Sequence, residues 1–440
     1  FSADGSICLV YNGEIYNFQK LAEDLKSIGY VFQTRCETEV ILNAWLEWGE
    51  GCVDKFRGMF AFALYDRSLQ SLFLARDRLG IKPLYYSLLA DGQVIFGSEL
   101  KALKQHPELS RKINPRAIED YFAFGYVPEP DTIYSGTHKL SPAHTMLFVR
   151  GQGGPVQREY WDLRFASEAP ENEEELQAQL IDQLREAVDI RMVAEVPLGA
   201  FLSGGVDSSA VVAMMAQLQE DPVNTCAIGF DVKQFDETEY ANKIARRYET
   251  NHFEHRVESD DFDLLDVLAD LYDEPYADSS AIPTYRVCEL ARKRVTVALS
   301  GDGGDEHFAG YRRYRWHMNE EALRSRLPLA LRRPVFGALG RIYPKADWAP
   351  RVFRAKTTFQ ALARNSVEAY MHTVSHTSEE QRGALFSAEL KRALQGYKAV
   401  EVMFHHAERA GTDDALSLIQ YLDTKTYLVG DILTKVDRAS

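Results

Sequence analysis

Two short stretches carry residue types suited to phosphate chemistry. The first, "SGGVDSS" at Ser203–Ser209, follows the apolar Phe201-Leu202 and runs into the helical pattern "AVVAMM". Strand, glycine turn and helix N-terminus together make an anion site, because backbone N–H groups and the positive dipole end converge on one point. No Gly-Lys-Ser/Thr follows, so this is not a Walker A loop. Asp207 holds the heart of the turn instead. An acid beside phosphates makes sense only if a cation bridges them, and Mg²⁺ prefers such oxygen ligands. The second stretch, "ALSGDGGDEHFAGYRRY", repeats that logic at Ser300–Glu306 with Asp302, Asp305 and Glu306. Either turn alone reads equally well as a capped helix start. Two of them at strand ends of one sheet, both bearing acids, argue for a ligand site.

A third stretch, "YNGEIYN" at Tyr11–Asn17, places Asn12 and Gly13 at what reads as a strand end opening into a glycine turn. There a backbone N–H and an Asn amide can donate to an oxyanion. Other candidates are weaker. His252 and His255 have an H-x-x-H spacing with no third metal-type ligand, and a strand-edge role is expected. The run "YRRYRWHM" from Tyr311 mixes aromatic and basic residues, but the net charge of −15 speaks against nucleic acid, and a helix packed on the sheet is expected.

The elements that position these residues divide the 440-residue chain in two. Residues 1–150 read as an α+β unit. A helix begins after Asn17 as N-cap, with Leu21 and Leu25 inward; another covers Thr38–Trp48; "MFAFALYD", "SLFLARD" and "QVIFGSEL" read as strands. Cys8 falls in the first strand and is expected in the core. A Gly- and Pro-bearing linker spans about 151–172, and the acidic run Glu171–Glu175 marks the start of a new helix, as a solvated face. From 173 to 440, helices alternate with the buried strands "VPLGAFLS", "NTCAIGF" and "RVTVALSG", the pattern of a doubly wound parallel sheet with ligands at the strands' C-terminal ends. After Tyr311 the pattern is mostly helical. Five scattered cysteines with no C-x-x-C pair suit a reducing compartment, and no stretch has the length of a membrane span or the form of a signal peptide. A cytoplasmic enzyme with no membrane partner is expected. The chain opens on Phe1 without methionine and stops at Ser440 inside a helical pattern, so a fragment cut at both ends is expected.

The turn at Ser203 resembles the SGGxDS signature of the PP-loop ATP pyrophosphatases. Paired with the turn at Ser300, with "DEPYADSSAIPTY" from Asp273 and with "DILTKVDRAS" from Asp431, the whole chain resembles the glutamine-hydrolysing asparagine synthetases. "YFAFGYVPEPDTIYSGTHKLSPAH" and "YRRYRWHM" resemble the subgroup found in exopolysaccharide and exosortase gene systems. The resemblance implies an N-terminal-nucleophile glutaminase of α+β fold, followed by an α/β PP-loop synthetase domain of the adenine nucleotide alpha hydrolase type. It implies that Ser203, Gly204, Gly205, Asp207 and Ser208 grip the pyrophosphate of ATP. Leu202 and Ile228 would line the adenine pocket, with Ser300 and Gly301 close to the nucleotide. Asp302 would lie near acceptor and adenylate, Asp207 and Asp305 would hold Mg²⁺, and Lys435 and Arg438 would bring positive charge to the phosphates. In the first half it implies an oxyanion hole of Asn12 and Gly13, with Glu14 and Glu37 binding glutamine.

Departures from that pattern matter. The family nucleophile is an N-terminal cysteine whose own amino group acts as base. Residue 1 here is Phe, so the nucleophile is expected upstream of this chain. Glu37 in "TRCETEV" replaces a usual Asp and moves its charge by about a bond length. "RDRLGIKPLYY" from Arg76 matches the family and reads as a structural turn. The implied reaction hydrolyses glutamine, adenylates a carboxylate with Mg·ATP and passes ammonia to it, with aspartate the default acceptor. A uronic acid is the alternative acceptor, a non-catalytic nucleotide or glutamine sensor the alternative class, and homodimer assembly stays open. Asp302, where the well-studied members carry Glu, leaves room for a bulkier acceptor.

Overall fold

The computed structural model describes residues 1–165, 172–230, 236–257, 264–344 and 355–440; Glu171 of the acidic run lies outside them. Eight strands fall in the first part: β1 (Ile7–Ile15), β2 (Gly58–Asp66), β3 (Ser71–Arg76), β4 (Tyr85–Leu88), β5 (Val94–Gly97), β6 (Thr137–Lys139), β7 (His144–Val149) and β8 (Val156–Glu159). They form an antiparallel sheet ordered β1-β2-β3-β7-β8 and a small one ordered β5-β4-β6. β8 pairs with β7, so the sheet continues into the stretch expected to be a linker. Alternation along β2 and β3 buries Phe60, Phe62, Leu64 and Phe73 against the helices Phe18–Ser27 and Glu37–Trp48.

Three local expectations change here. Gly13 does not open a turn but lies inside β1, opposite Phe60. A Cβ on it would stand 2.1 Å from the Met59 carbonyl oxygen, so two backbones meet there too closely for any side chain. Asn17 holds the N-cap position, but its side chain does not cap the helix; its Oδ1 accepts from the Arg57 N–H at 2.8 Å and its Nδ2 donates to the Lys55 carbonyl at 3.0 Å. Cys8 is half-buried, because period 2 puts it on the same outer face of β1 as Val10, Asn12 and Glu14.

The second part holds a four-stranded parallel sheet of β9 (Leu198–Phe201), β10 (Asn224–Phe230), β11 (Asn251–Val257) and β12 (Val297–Leu299), ordered β11-β10-β9-β12. β11 is an edge strand, and there His252 Nδ1 lies 2.9 Å from Thr225 Oγ1. The remainder is helical. The helix Arg312–Arg324, expected on the sheet, packs on other helices instead. Its Tyr314 is buried and donates to Asp423 Oδ2 at 2.6 Å, as do Tyr370 and the Arg313 guanidinium. A buried tyrosine needs a partner for its hydroxyl, and the helical core holds that acceptor.

The two parts share material. Helix Pro115–Phe124 of the first part buries Ala123 and Phe124 in the helical core of the second. Glu274 accepts from the Ile133 N–H at 2.7 Å and pairs with Lys139 at 2.8 Å. Lys82 meets Asp437 at 2.8 Å. Near its end the chain winds as a ten-residue π-helix, Thr424–Leu433. This rare form shifts register and re-aims the side chains beyond it. Inside it, Gly430 abuts Tyr126, and a Cβ there would lie 2.2 Å from the buried ring. Replacing Gly430 with Ala therefore destabilises the protein by about 1–3 kcal/mol net of any helix-propensity gain. Denaturant unfolding reads this as a lowered midpoint at unchanged slope. An unchanged midpoint would show that the ring can yield.

Candidate active sites

The parallel sheet brings both glycine turns to one edge. Leu202, just after β9, is buried, and its N–H donates to the Cys226 carbonyl at 2.9 Å. The chain then turns at Gly204, with φ +84, against the helix Thr238–Arg247; a Cβ there would lie 2.5 Å from the Ala241 nitrogen. Ser203 Oγ sits 3.0 Å from Ser208 Oγ. β12, next to β9, delivers Ser300-Gly301-Asp302 to the same place. A Cβ on Gly301 would be 2.7 Å from the Ser208 nitrogen, and one on Gly304 would be 2.6 Å from Asp207 Oδ1. Neither helix start uses a side-chain cap: Gly205 and Gly303 hold the cap positions without a side-chain hydrogen bond. The acids are thus not spent on capping.

A cleft of about 790 Å³, open to solvent, lies over these turns. Its lining includes Leu202, Ser203, Gly205, Asp207, Ser208, Ile228, Ser300, Gly301, Asp302 and Asp305, nearly all of the expected nucleotide residues. Glu237 also lines it, and among the described residues no Lys, Arg or His does. The carboxyl of Asp207 is raised above its ordinary range, by burial first and then by Asp305. Among the described residues no group of three or more His, Cys, Asp or Glu encloses a cation.

Lys435 and Arg438 are not brought to that cleft; the residue between them that lines it is Val436. Both are buried in ion pairs. Lys435 Nζ lies 2.8 Å from Asp278 Oδ2 and 2.6 Å from Ser280 Oγ. Arg438 faces Asp273 at 3.6 Å and Glu99 at 3.7 Å. Tyr276 donates to the carbonyl of Asp431 at 3.1 Å and also to its carboxylate. Burial and the neighbouring Asp278 push Asp431 up to about 6. These partners sit in the "DEPYADSS" loop and could be found in the sequence only as a motif without a role.

In the first part, Asn12 and Glu14 share the outer face of β1. Asn12 Nδ2 donates to Ser98 Oγ at 3.4 Å. Glu37, first residue of its helix, accepts from the Ile15 N–H at 2.7 Å. Burial raises the carboxyls of both Glu14 and Glu37, and Glu14 adds to the rise at Glu37. The structure therefore gathers Asn12, Glu14 and Glu37 around one end of β1. Arg76 and Asp77 take no part: Arg76 is buried on Glu129 and three carbonyls, and Asp77 accepts from four backbone N–H groups, which makes "RDRLGIKP" the structural turn expected.

Residues 179–440 match the model of the asparagine synthase family, and residues 1–161 match that of a glutamine amidotransferase domain. The chain belongs to the asparagine synthase family. It is 31% identical to asparagine synthetase [glutamine-hydrolyzing] 1 of Bacillus subtilis, over 99% of this chain and 66% of that one. Provisionally named asparagine synthetases from Methanocaldococcus jannaschii and Mycobacterium tuberculosis are 38% and 34% identical, over 84% and 98% of this chain and 70% and 65% of theirs. The chain thus spans 65–70% of the length of these relatives. Among the described residues no helix is long and apolar enough to cross a membrane.

For a member of this family the acid pair at β1 has a consequence for stability. A carboxyl whose folded pKa is raised binds its proton more tightly folded than unfolded. Its stabilising share is therefore present in acid and lost as pH rises through the folded value. Glu37→Gln keeps an oxygen to accept from Ile15 and removes the buried charge. The variant should melt higher than the parent at pH 7, and the gap should close as pH falls through the carboxylate range. Melting temperatures across that range measure it; a variant melting lower at pH 7 would contradict the burial argument.

Proposed function

We propose that this chain carries the working parts of a glutamine-dependent amidotransferase whose synthetase half activates a carboxylate with ATP. The observation that carries the reading is the contact of two acid-bearing glycine turns at the C-terminal edge of one parallel sheet, where Gly301 and Gly304 admit Asp207 without a side chain between. Ser203, Gly204, Gly205 and Ser208 surround the pyrophosphate, and Leu202 and Ile228 face the adenine. Asp207 and Asp305 fit a hard divalent cation, which keeps its remaining ligands from phosphate oxygens and water. That fit is supported by the Asp207 carboxyl, raised by burial and then by Asp305, in a cleft with no basic side chain among its described lining residues. When bound, Mg²⁺ neutralises charge on the phosphates. The chain's own residues orient them for attack by the acceptor carboxylate at the α-phosphorus, with pyrophosphate leaving. The resulting acyl-adenylate is a far better electrophile than a carboxylate.

Asn12 and Gly13 form the oxyanion hole of the glutaminase half, and Glu14 and Glu37 receive the α-ammonium of glutamine. We divide the chain into a glutaminase domain from residue 1 to about 150–160 and a synthetase domain from 173. Ammonia would cross between the halves, where a small cavity of about 30 Å³ is lined by Arg76, Tyr85, Tyr126, Glu274, Tyr276 and Thr434. Aspartate is the acceptor read first; Asp302, Thr284, Val287 and Phe308 line the cleft where it would lie.

Two substitutions test the reading. Asp207→Asn keeps size and loses the charge that holds the cation, so ATP–pyrophosphate exchange falls on the order of 10²-fold or more while thermal stability holds. Near-normal exchange would sink the nucleotide assignment. Asp302→Glu, assayed for amide formation with aspartate and with a uronic acid, shifts the ratio of the two by about 10- to 200-fold at most. An unchanged ratio removes Asp302 from acceptor choice.

A further inference from the structure

We propose that Ser98 is a positioning residue through which the terminal helix of the synthetase half sets the oxyanion amide of the glutaminase half, an inference that rests on the site reading above. Ser98 follows β5 and precedes the short helix Leu100–Leu103. Its hydroxyl accepts from Asn12 Nδ2 at 3.4 Å, and its carbonyl accepts from Arg438 Nη2 at 3.2 Å. One residue thus touches both a glutamine-site group and a cation from the far end of the chain.

The arrangement is chemically pointed. An Asn amide nitrogen carries two hydrogens. Giving one to Ser98 fixes the plane of the amide and leaves the other free for an oxyanion, the kind of preorganised donor that stabilises a transition state. Ser98 can do this only if its own backbone is held. The hold comes from Arg438, whose side chain is 6% exposed and is wedged among Asp273, Glu99 and the Tyr85 ring, 5.9 Å away. A buried guanidinium does not leave such partners without another anion to meet. Arg438 therefore acts on glutamine hydrolysis even with no nucleotide present.

The test uses the full-length enzyme with its own amino terminus, assayed with glutamine alone and no ATP. Ser98→Ala should lower kcat roughly 2- to 10-fold, the range of one lost neutral hydrogen bond, with KM within twofold. Ser98→Thr, which keeps the hydroxyl, should restore it. Arg438→Met should lower kcat by a similar factor, and the double variant should be no worse than the more damaged single one, because both act through the same contact. A purely phosphate-binding Arg438 predicts no effect without nucleotide. Wild-type kcat in Arg438→Met, or two losses that multiply, overturns the inference and leaves the proposed function standing. If Arg438→Met does not fold, the Ser98→Ala and Ser98→Thr pair decides alone. A parent enzyme that hydrolyses no glutamine removes the site reading and the inference with it.

Discussion

The structure depends on a place where no side chain can stand. Two turns, one after β9 and one after β12, press together so closely that a methyl group on Gly301 or Gly304 would collide with Ser208 or Asp207. That approach exists because β9 and β12 are parallel neighbours and end at the same edge. It brings Asp207 and Asp305 within each other's field and opens the helix N-terminus of Val206–Leu218 to the cleft. Interiors are packed to crystal density, so a turn displaced by one methyl group moves its neighbours along the chain. The glycines are thus the geometric condition for the acids to stand together.

Charge is divided sharply between the cleft and the seam. Among the described residues the cleft is lined by Asp207, Glu237, Asp302 and Asp305 with no basic side chain. Positive charge is stored in the seam instead, in Lys82 with Asp437, Lys139 with Glu274, Lys435 with Asp278 and Arg438 with Asp273. Buried ions persist only when paired, which gives each of these contacts a fixed geometry. On the proposed reading, a triphosphate in the cleft would face these acids, and a cation arriving with it would supply the neutralising charge. Beyond the π-wound stretch, the terminal helix turns Val436 to the cleft while Lys435 and Arg438 stay in their ion pairs. The same seam ties the two halves through Glu274, Lys82 and Ser98, so neither half is an independent bead on a string.

Much was legible in the sequence where chemistry depends on local order. "SGGVDSS" and "SGDGGDE" each specify a glycine turn into a helix, and buried runs such as "NTCAIGF" specify parallel strands, because backbone freedom and apolar burial act over a few residues. Asp207, Asp302 and Asp305 could be chosen from that order alone, and the resemblance named the family. Asn12 could be chosen too, but the expected turn around Gly13 proved to be mid-strand. What distinguishes the two is the opposing strand, and β2 lies more than forty residues away. The same limit moved "YRRYRWHM" from the sheet to the helical core, where Asp423 accepts from the Tyr314 hydroxyl.

Tertiary structure alone decided where the cations go and what joins the halves. Lys435 and Arg438 are basic residues near two acidic motifs, and sequence order cannot say which anion a long flexible side chain will meet. Folding settles it, since a guanidinium or ammonium taken out of water must find the partners that burial leaves within reach. For Arg438 those are Ser98, Glu99 and Asp273, two of them some 340 positions away. The turns and the acids belong to the sequence because their physics is local; the seam belongs to the fold because pairing buried charge is a property of the whole packed chain.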